Sequence, residues 1–409
     1  MKRIATLFLL TGLAACGLFT DPKPGPPQQL ASLPRDLTVD EERASTAANQ
    51  FALTLFRRLN EAQAGENVFV SPLSVSFALG MAMNGAQGAT FDEMRSTLGF
   101  GADELAKINA GYRGLLTLES GLDASTKFQI ANSVWHRETL PVVPTFVTAM
   151  NQTFDADVKS APFDASTITA VNDWVSENTA GKIPTILEEI KPEHVMFLIN
   201  AIYFKGSWRD QFDPAKTAPA TFNALGGAQQ VATMNRPDGT GKLRYHRTAE
   251  ATVGELSYGN GAFVMSIVVP QGDVDAFAAT LDTASLRTLL EPMQEADYAV
   301  RLPKFKLEYE RELSDDLKAL GMQTPFVPDG ADFTAMSPVG KQMFIAFVQH
   351  KTYVDVNEEG TEAAAVTNVG MGVTSLPPCL CVDRPFIFAI RERFSGTILF
   401  IGKIVRIPT

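Results

Sequence analysis

The sequence predicts a mixed α+β fold in one large domain, and three observations predict it. Apolar residues recur at helical spacing through the early part of the chain. Strand-like segments dominate from Thr221 to Leu307. Between these regions, Val195–Trp208 is a long, mostly apolar run of the kind that fills a central strand covered on both faces. The 409 residues are 45% hydrophobic and 20% charged, enough material for a large core. A net charge of −11 and a pI near 5.0 argue against nucleic acid or another polyanion as partner. Three cysteines are too few for a disulfide scaffold.

Residues 1–15 read as a targeting segment. Lys2 and Arg3 precede an apolar run, Ile4–Leu13, too short to span a bilayer. The run ends Leu13-Ala14-Ala15-Cys16, which resembles the bacterial lipobox, with Cys16 as the lipidation site. The alternative is an ordinary signal peptide in which Cys16 is incidental. Two or three acyl chains would anchor firmly, at about 0.8 kcal/mol per buried CH₂. Gly17 follows Cys16 where an Asp would favour inner-membrane retention, so the expected place is the outer membrane of a bacterial envelope, or else secretion. Cleavage before Cys16 removes two cations and no acid, taking the charge from −11 to −13. Residues 16–38 are rich in Pro, Gly, Gln and Ser and read as a tether, and residues 39–409 as a single domain.

The elements follow in order. Asp40–Glu61 is amphipathic, with Phe51, Leu55, Phe56 and Leu59 on one stripe and Gly65 beyond its end. Val68–Val70 is a short strand. Pro72 suits a first helical turn, and Leu73–Met83 is apolar nearly all round, so that helix is buried. A helical region of mixed charge continues to Ser120, with no basic patch. Lys127–Trp135 alternates as a strand. Thr167–Ile183 carries the stripe Ile168, Val171, Trp174 and Val175, and stops at Gly181 and Pro184. A helix over Leu313–Leu320 ends at Gly321.

Near the end, Phe344–Val356 and Asp383–Ile390 read as strands, and between them lies a long stretch of Ala, Gly, Thr, Val and Pro. A loop of that length inside a compact domain points to function. In extended form Thr361, Ala363, Ala365, Thr367 and Val369 share one side, and Glu362, Ala364, Val366 and Asn368 the other. The first set is small enough to slide between strands. Glu358–Thr374 would span roughly 55 Å, enough to cross a large sheet.

Signatures of catalysis are missing. His136, His194, His246 and His350 are the four histidines, and no GxSxG, HExxH, P-loop or paired CxxC motif accompanies them. The expectation is no enzyme, no cofactor and no metal. Cys379 and Cys381 share one face of an extended segment, either as a strained disulfide or as two free thiols; a metal would need further ligands that the sequence does not offer.

Several segments, in order and spacing, resemble the serpin family over nearly everything from residue 40 to Thr409. They are NVFVSPLSVSFALGMAMNGAQGAT, NAIYFKGSW, LPKF at Leu302–Phe305, NEEGTEAAAV and CVDRPFIFAIRERFSGTILFIGKI. The resemblance implies about eight or nine helices around three β-sheets. It also implies an exposed reactive-centre loop, residues 358–378, that can insert into the largest sheet; such insertion is a known example of strand addition.

The family's pattern implies a suicide substrate of serine proteases, cleaved between Thr374 and Ser375. The small, β-branched Thr374 suits elastase-like or subtilisin-like pockets, with some papain-like cysteine proteases as further targets. It does not suit a trypsin-like pocket with a buried Asp. Glu358, Gly360, Thr361, Ala363, Ala364 and Ala365 match the hinge. Ser71, Ser74, Asn200 and His350 match the shutter under the opening sheet. Trp208, Lys304 and Glu358 match the breach at its top, with Lys304 and Glu358 as an ion pair. No heparin-type activation is expected, and a monomer is. The alternative is a non-inhibitory serpin acting as a binding or chaperone-like surface lipoprotein.

Overall fold

The computed structural model describes residues 27–237, 239–361 and 379–408. Thr374, Ser375, Ala363, Ala364, Ala365 and Cys16 lie outside the described residues. The chain opens with α1 (Val39–Ala62), β1 (Val68–Val70), α2 (Pro72–Asn84), α3 (Gly88–Thr97) and α4 (Leu105–Gly121). Next come β2 (Lys127–Arg137), α5 (Pro144–Phe154), β3 (Asp157–Ala161), α6 (Ala165–Asn178) and β4 (Met196–Ser207). Five strands follow: β5 (Ala218–Ala224), β6 (Gly227–Arg236), β7 (Leu243–Arg247), β8 (Ala251–Ser257) and β9 (Phe263–Pro270). Then come α7 (Val274–Ala279), α8 (Thr283–Leu290), β10 (Gln294–Ala296), β11 (Ala299–Pro303), β12 (Phe305–Glu312) and α9 (Ser314–Ala319). Last are β13 (Gln349–Val356), β14 (Gly360–Thr361), β15 (Cys379–Cys381), β16 (Phe386–Glu392) and β17 (Ile398–Ile404).

Among the described residues these nine helices surround three sheets. A seven-stranded sheet runs β1-β17-β16-β9-β8-β7-β10 and forms the centre of the core. Every residue of β9, β16 and β17 is buried; most are apolar, and of the polar ones Arg391 is hydrogen-bonded to Glu255 and Lys403 to Asn60. A six-stranded sheet runs β12-β13-β14-β4-β2-β3, and a four-stranded sheet runs β15-β11-β6-β5. The helix α1 starts on a capping box, Thr38 with Glu41, and buries Phe51, Leu55, Phe56 and Leu59 as its spacing predicts. The helix α2 starts on the Ser71 cap and is buried around almost its whole girth. A second apolar cluster, with Trp135, Phe163, Trp174 and Phe197, sits under α6.

Four departures from the sequence reading have local causes. The region Thr221–Leu307 is not all strand: α7 and α8 interrupt it, started by Asp273 and Asp282 as N-caps. The helix α6 stops at Asn178, because Ala180 and Gly181 turn to positive φ and Ile183 N donates to Thr179 Oγ1. The strand expected from Phe344 begins only at Gln349; Ile345 N donates to Pro325 O and Val348 N to the Glu312 carboxylate instead of to a ladder. The described part of the tether lies on the domain, where Leu30, Leu33 and Leu37 pack against the core and Leu30 N donates to Asn260 O.

Candidate functional site

The site is built where β14 enters the six-stranded sheet, not the seven-stranded one that is the largest among the described residues and that the resemblance implies. Gly360 and Thr361 pair antiparallel with Ser207 and Gly206 of β4, and Thr361 also pairs with Val356 of β13. This approach is close enough to demand glycine: at Gly360, φ is +157° and a Cβ would sit 2.0 Å from Gly206 O. The Thr361 hydroxyl shares a hydrogen bond of 2.7 Å with that of Tyr258. Tyr258 in turn stacks on Trp208, with ring centroids 4.4 Å apart. Trp208 Nε1 donates to Asn357 O at 2.8 Å, and its backbone N to Glu359 O at 2.8 Å.

Glu358 is 2% exposed and is held on both oxygens. Lys304 Nζ lies 2.8 Å from Oε2, and Thr217 Oγ1 donates to Oε1 at 2.7 Å. Burial raises the carboxyl, but the bonds from Lys304 and Thr217 outweigh it and hold Glu358 below the usual carboxylate range. The ion pair expected of Lys304 and Glu358 is present, and Trp208 stands beside it at the Asn357–Glu359 backbone.

Below Thr361 the sheet changes character. Among the described residues β4 pairs with β2 on one side and β13 with β12 on the other, and no backbone pairing joins β4 to β13 directly. Their facing edges line a slot of about 310 Å³ that runs past Asn200, Ile202, Gln349, His350 and Thr352 to Ser71, the cap of α2, and Ser74 within that helix. Ser71 N donates to His350 Nε2 at 3.1 Å, Ser71 Oγ donates to Leu399 O, and Ser74 N donates to Ser71 Oγ. Complete burial pushes His350 down to about 4, so the ring is neutral and accepts the Ser71 bond.

Of the four residues matched to the shutter, Ser71, Ser74 and His350 thus form one hydrogen-bonded group. Asn200 stands apart and donates to Asn132 Oδ1 at 2.7 Å across β2. Its own Oδ1 has no partner among the described residues. Sequence reasoning missed Thr217, Tyr258, Asn357 and Asn132. Each acts through a partner distant in sequence, and no local pattern marks it.

At the far end of the loop Cys379 and Cys381 are joined by a disulfide, with Cα atoms 5.2 Å apart, which settles the two alternatives for this pair. They lie on β15, which pairs in parallel with β11 through Ala299, Val300 and Arg301.

Comparison with known proteins gives a single picture. The model of the family described as "Serpin (serine protease inhibitor)" matches residues 46–407. Serpin B11 of Mus musculus is 33% identical over 382 residues, covering 88% of this chain and 98% of its own. The leukocyte elastase inhibitor of Sus scrofa is 34% identical over 379 residues, covering 89% and 99%. The native state of tengpin, a thermophilic serpin, superposes with a TM-score of 0.79 at 30% identity over 93% of this chain and 97% of that one. With the sheet order and the family match in agreement, the chain belongs to the serpin family.

Proposed function

We propose that this serpin is a suicide-substrate inhibitor of elastase-like or subtilisin-like serine proteases, with papain-like cysteine proteases as a further target class. The observation that carries the reading is β14. The chain leading into the loop has already entered the sheet between β4 and β13. Its continuation alternates small residues on one side, the pattern a strand needs to extend along the slot. The unpartnered Asn200 Oδ1 at the slot wall offers an acceptor to such a strand.

In the reaction the protease serine attacks the Thr374 carbonyl carbon, the amide bond to Ser375 breaks, and an ester links Thr374 to the enzyme. Insertion of residues 360–371 then carries the acyl-enzyme away before water can release it, and the relaxation of a kinetically trapped fold supplies the energy. The likeness to leukocyte elastase inhibitors supports the shallow-pocket preference that Thr374 suggests. We further propose that residues 1–15 are cleaved off, that Cys16 carries lipid, and that residues 16–38 link a bacterial envelope membrane to the domain.

Mixing with pancreatic elastase tests the inhibitory reading: a complex stable in SDS, with cleavage after Thr374, is expected. Thr374→Arg should transfer complex formation to trypsin and lower the rate with elastase about a hundredfold. Cleavage with neither a complex nor a rise in thermal stability would favour a non-inhibitory binding role. Cys16→Ser should move the protein from the membrane fraction to the soluble one.

A further inference from the structure

The Cys379–Cys381 disulfide has no part in the inhibitory reading, and its geometry sets it apart from a structural staple. It closes a ring of three residues, so it restrains the unfolded chain little. Side chains two apart on a strand share a face, and Leu380 between them points the other way, 0% exposed and packed over Gly254 of β8. Both sulfurs therefore lie on the outer face, where each cysteine is half-buried. Two strand steps at about 3.3 Å each would separate the Cα atoms by roughly 6.6 Å. The cross-link draws them to 5.2 Å, so β15 is shortened where the loop leaves it. β15 is also an edge strand, with β11 as its one neighbour among the described residues.

We propose that Cys379–Cys381 is a thiol–disulfide exchange site for a dithiol reductant, and that its redox state sets how firmly β15 is held on β11. A thiolate of the reductant attacks one sulfur, the Sγ–Sγ bond breaks, and the other cysteine leaves as a thiolate. The reductant's second thiolate attacks the mixed disulfide and closes its own disulfide. Two electrons pass to the pair, and Cys379 and Cys381 end as thiols after taking up protons. Freed of the ring, the backbone around Leu380 regains its range and the strand lengthens, so the three-residue pairing with β11 opens more often.

The test uses the full chain carrying Cys16→Ala, so that the pair supplies the only sulfhydryls. Thiol labelling by a maleimide of known mass is followed through a dithiothreitol series, with amide exchange at residues 380–382 measured in the oxidised and reduced forms. Reduction of the intact fold is expected, with exchange at residues 380–382 about tenfold faster, the size that freeing one or two residues gives. Cys379→Ala/Cys381→Ala should show the fast exchange with or without dithiothreitol. No labelling until the whole fold melts, or equal exchange in the two forms, overturns the proposal. If neither form inhibits any protease while the exchange difference holds, the inhibitory reading fails and the exchange site stands.

Discussion

The two ends of the segment 362–378 are held in opposite ways. At the near end, Thr361 is buried in the middle of a six-stranded sheet and Glu358 in the bend that leads into it, and an ion pair, two hydroxyl contacts and the Trp208–Tyr258 stack converge on them. At the far end, three residues lie on the edge of a four-stranded sheet, with one neighbouring strand and a disulfide on the outer face. The near end is a short strand seated between two others inside a sheet. The far end is a grip that can open.

The contrast can be broken or sharpened by four changes. Gly360→Val should be the most damaging, because its first side-chain carbon would lie 2.0 Å from Gly206 O. A loss of about 3 kcal/mol is expected from the urea midpoint, with β14 expelled from the sheet. Acid should act next, below the hinge. His350 is held neutral at about 4 in the folded chain, whereas the unfolded chain takes up the proton near 6.5. Stability is therefore full above pH 6.5 and falls as the pH drops toward 4. Between pH 6.5 and 5 the loss should be about 2 kcal/mol, and His350→Gln should remove that slope.

Lys304→Met leaves the Glu358 carboxylate buried without its cation, and should cost slightly less, about 1.5 to 2 kcal/mol. Cys379→Ala/Cys381→Ala should have the smallest effect on global stability, at most about 1.5 kcal/mol, since the ring it opens is so short. If the cysteine variant proved the most damaging and the glycine variant silent, the near end would not be the fixed one.

The sequence revealed most where periodicity ran long. The stripe of α1, the apolar girth of α2 and the runs of β4 and β16 all appear at their places. Short elements were less legible: α7 has six residues and α8 eight, too few turns for a helical period to stand out from strand-like neighbours. The helix α5 buries Phe146, Met150 and Phe154 in one row after Pro144, a signal that was there to be read. At the site, the motifs carried Trp208, Lys304 and Glu358, but their partners Thr217 and Tyr258 emerge only when the sheets are assembled. A hydroxyl in a strand looks the same from sequence whether it meets water or the hinge.

The position of Trp208 makes the hinge observable by light. The chain has three tryptophans. Trp135 and Trp174 belong to the cluster under α6, whereas Trp208 is stacked on Tyr258 beside β14. Replacing the first two with phenylalanine would leave one indole whose emission follows the hinge in real time. A rapid-mixing fluorimeter could then time the start of insertion separately from the cut that triggers it.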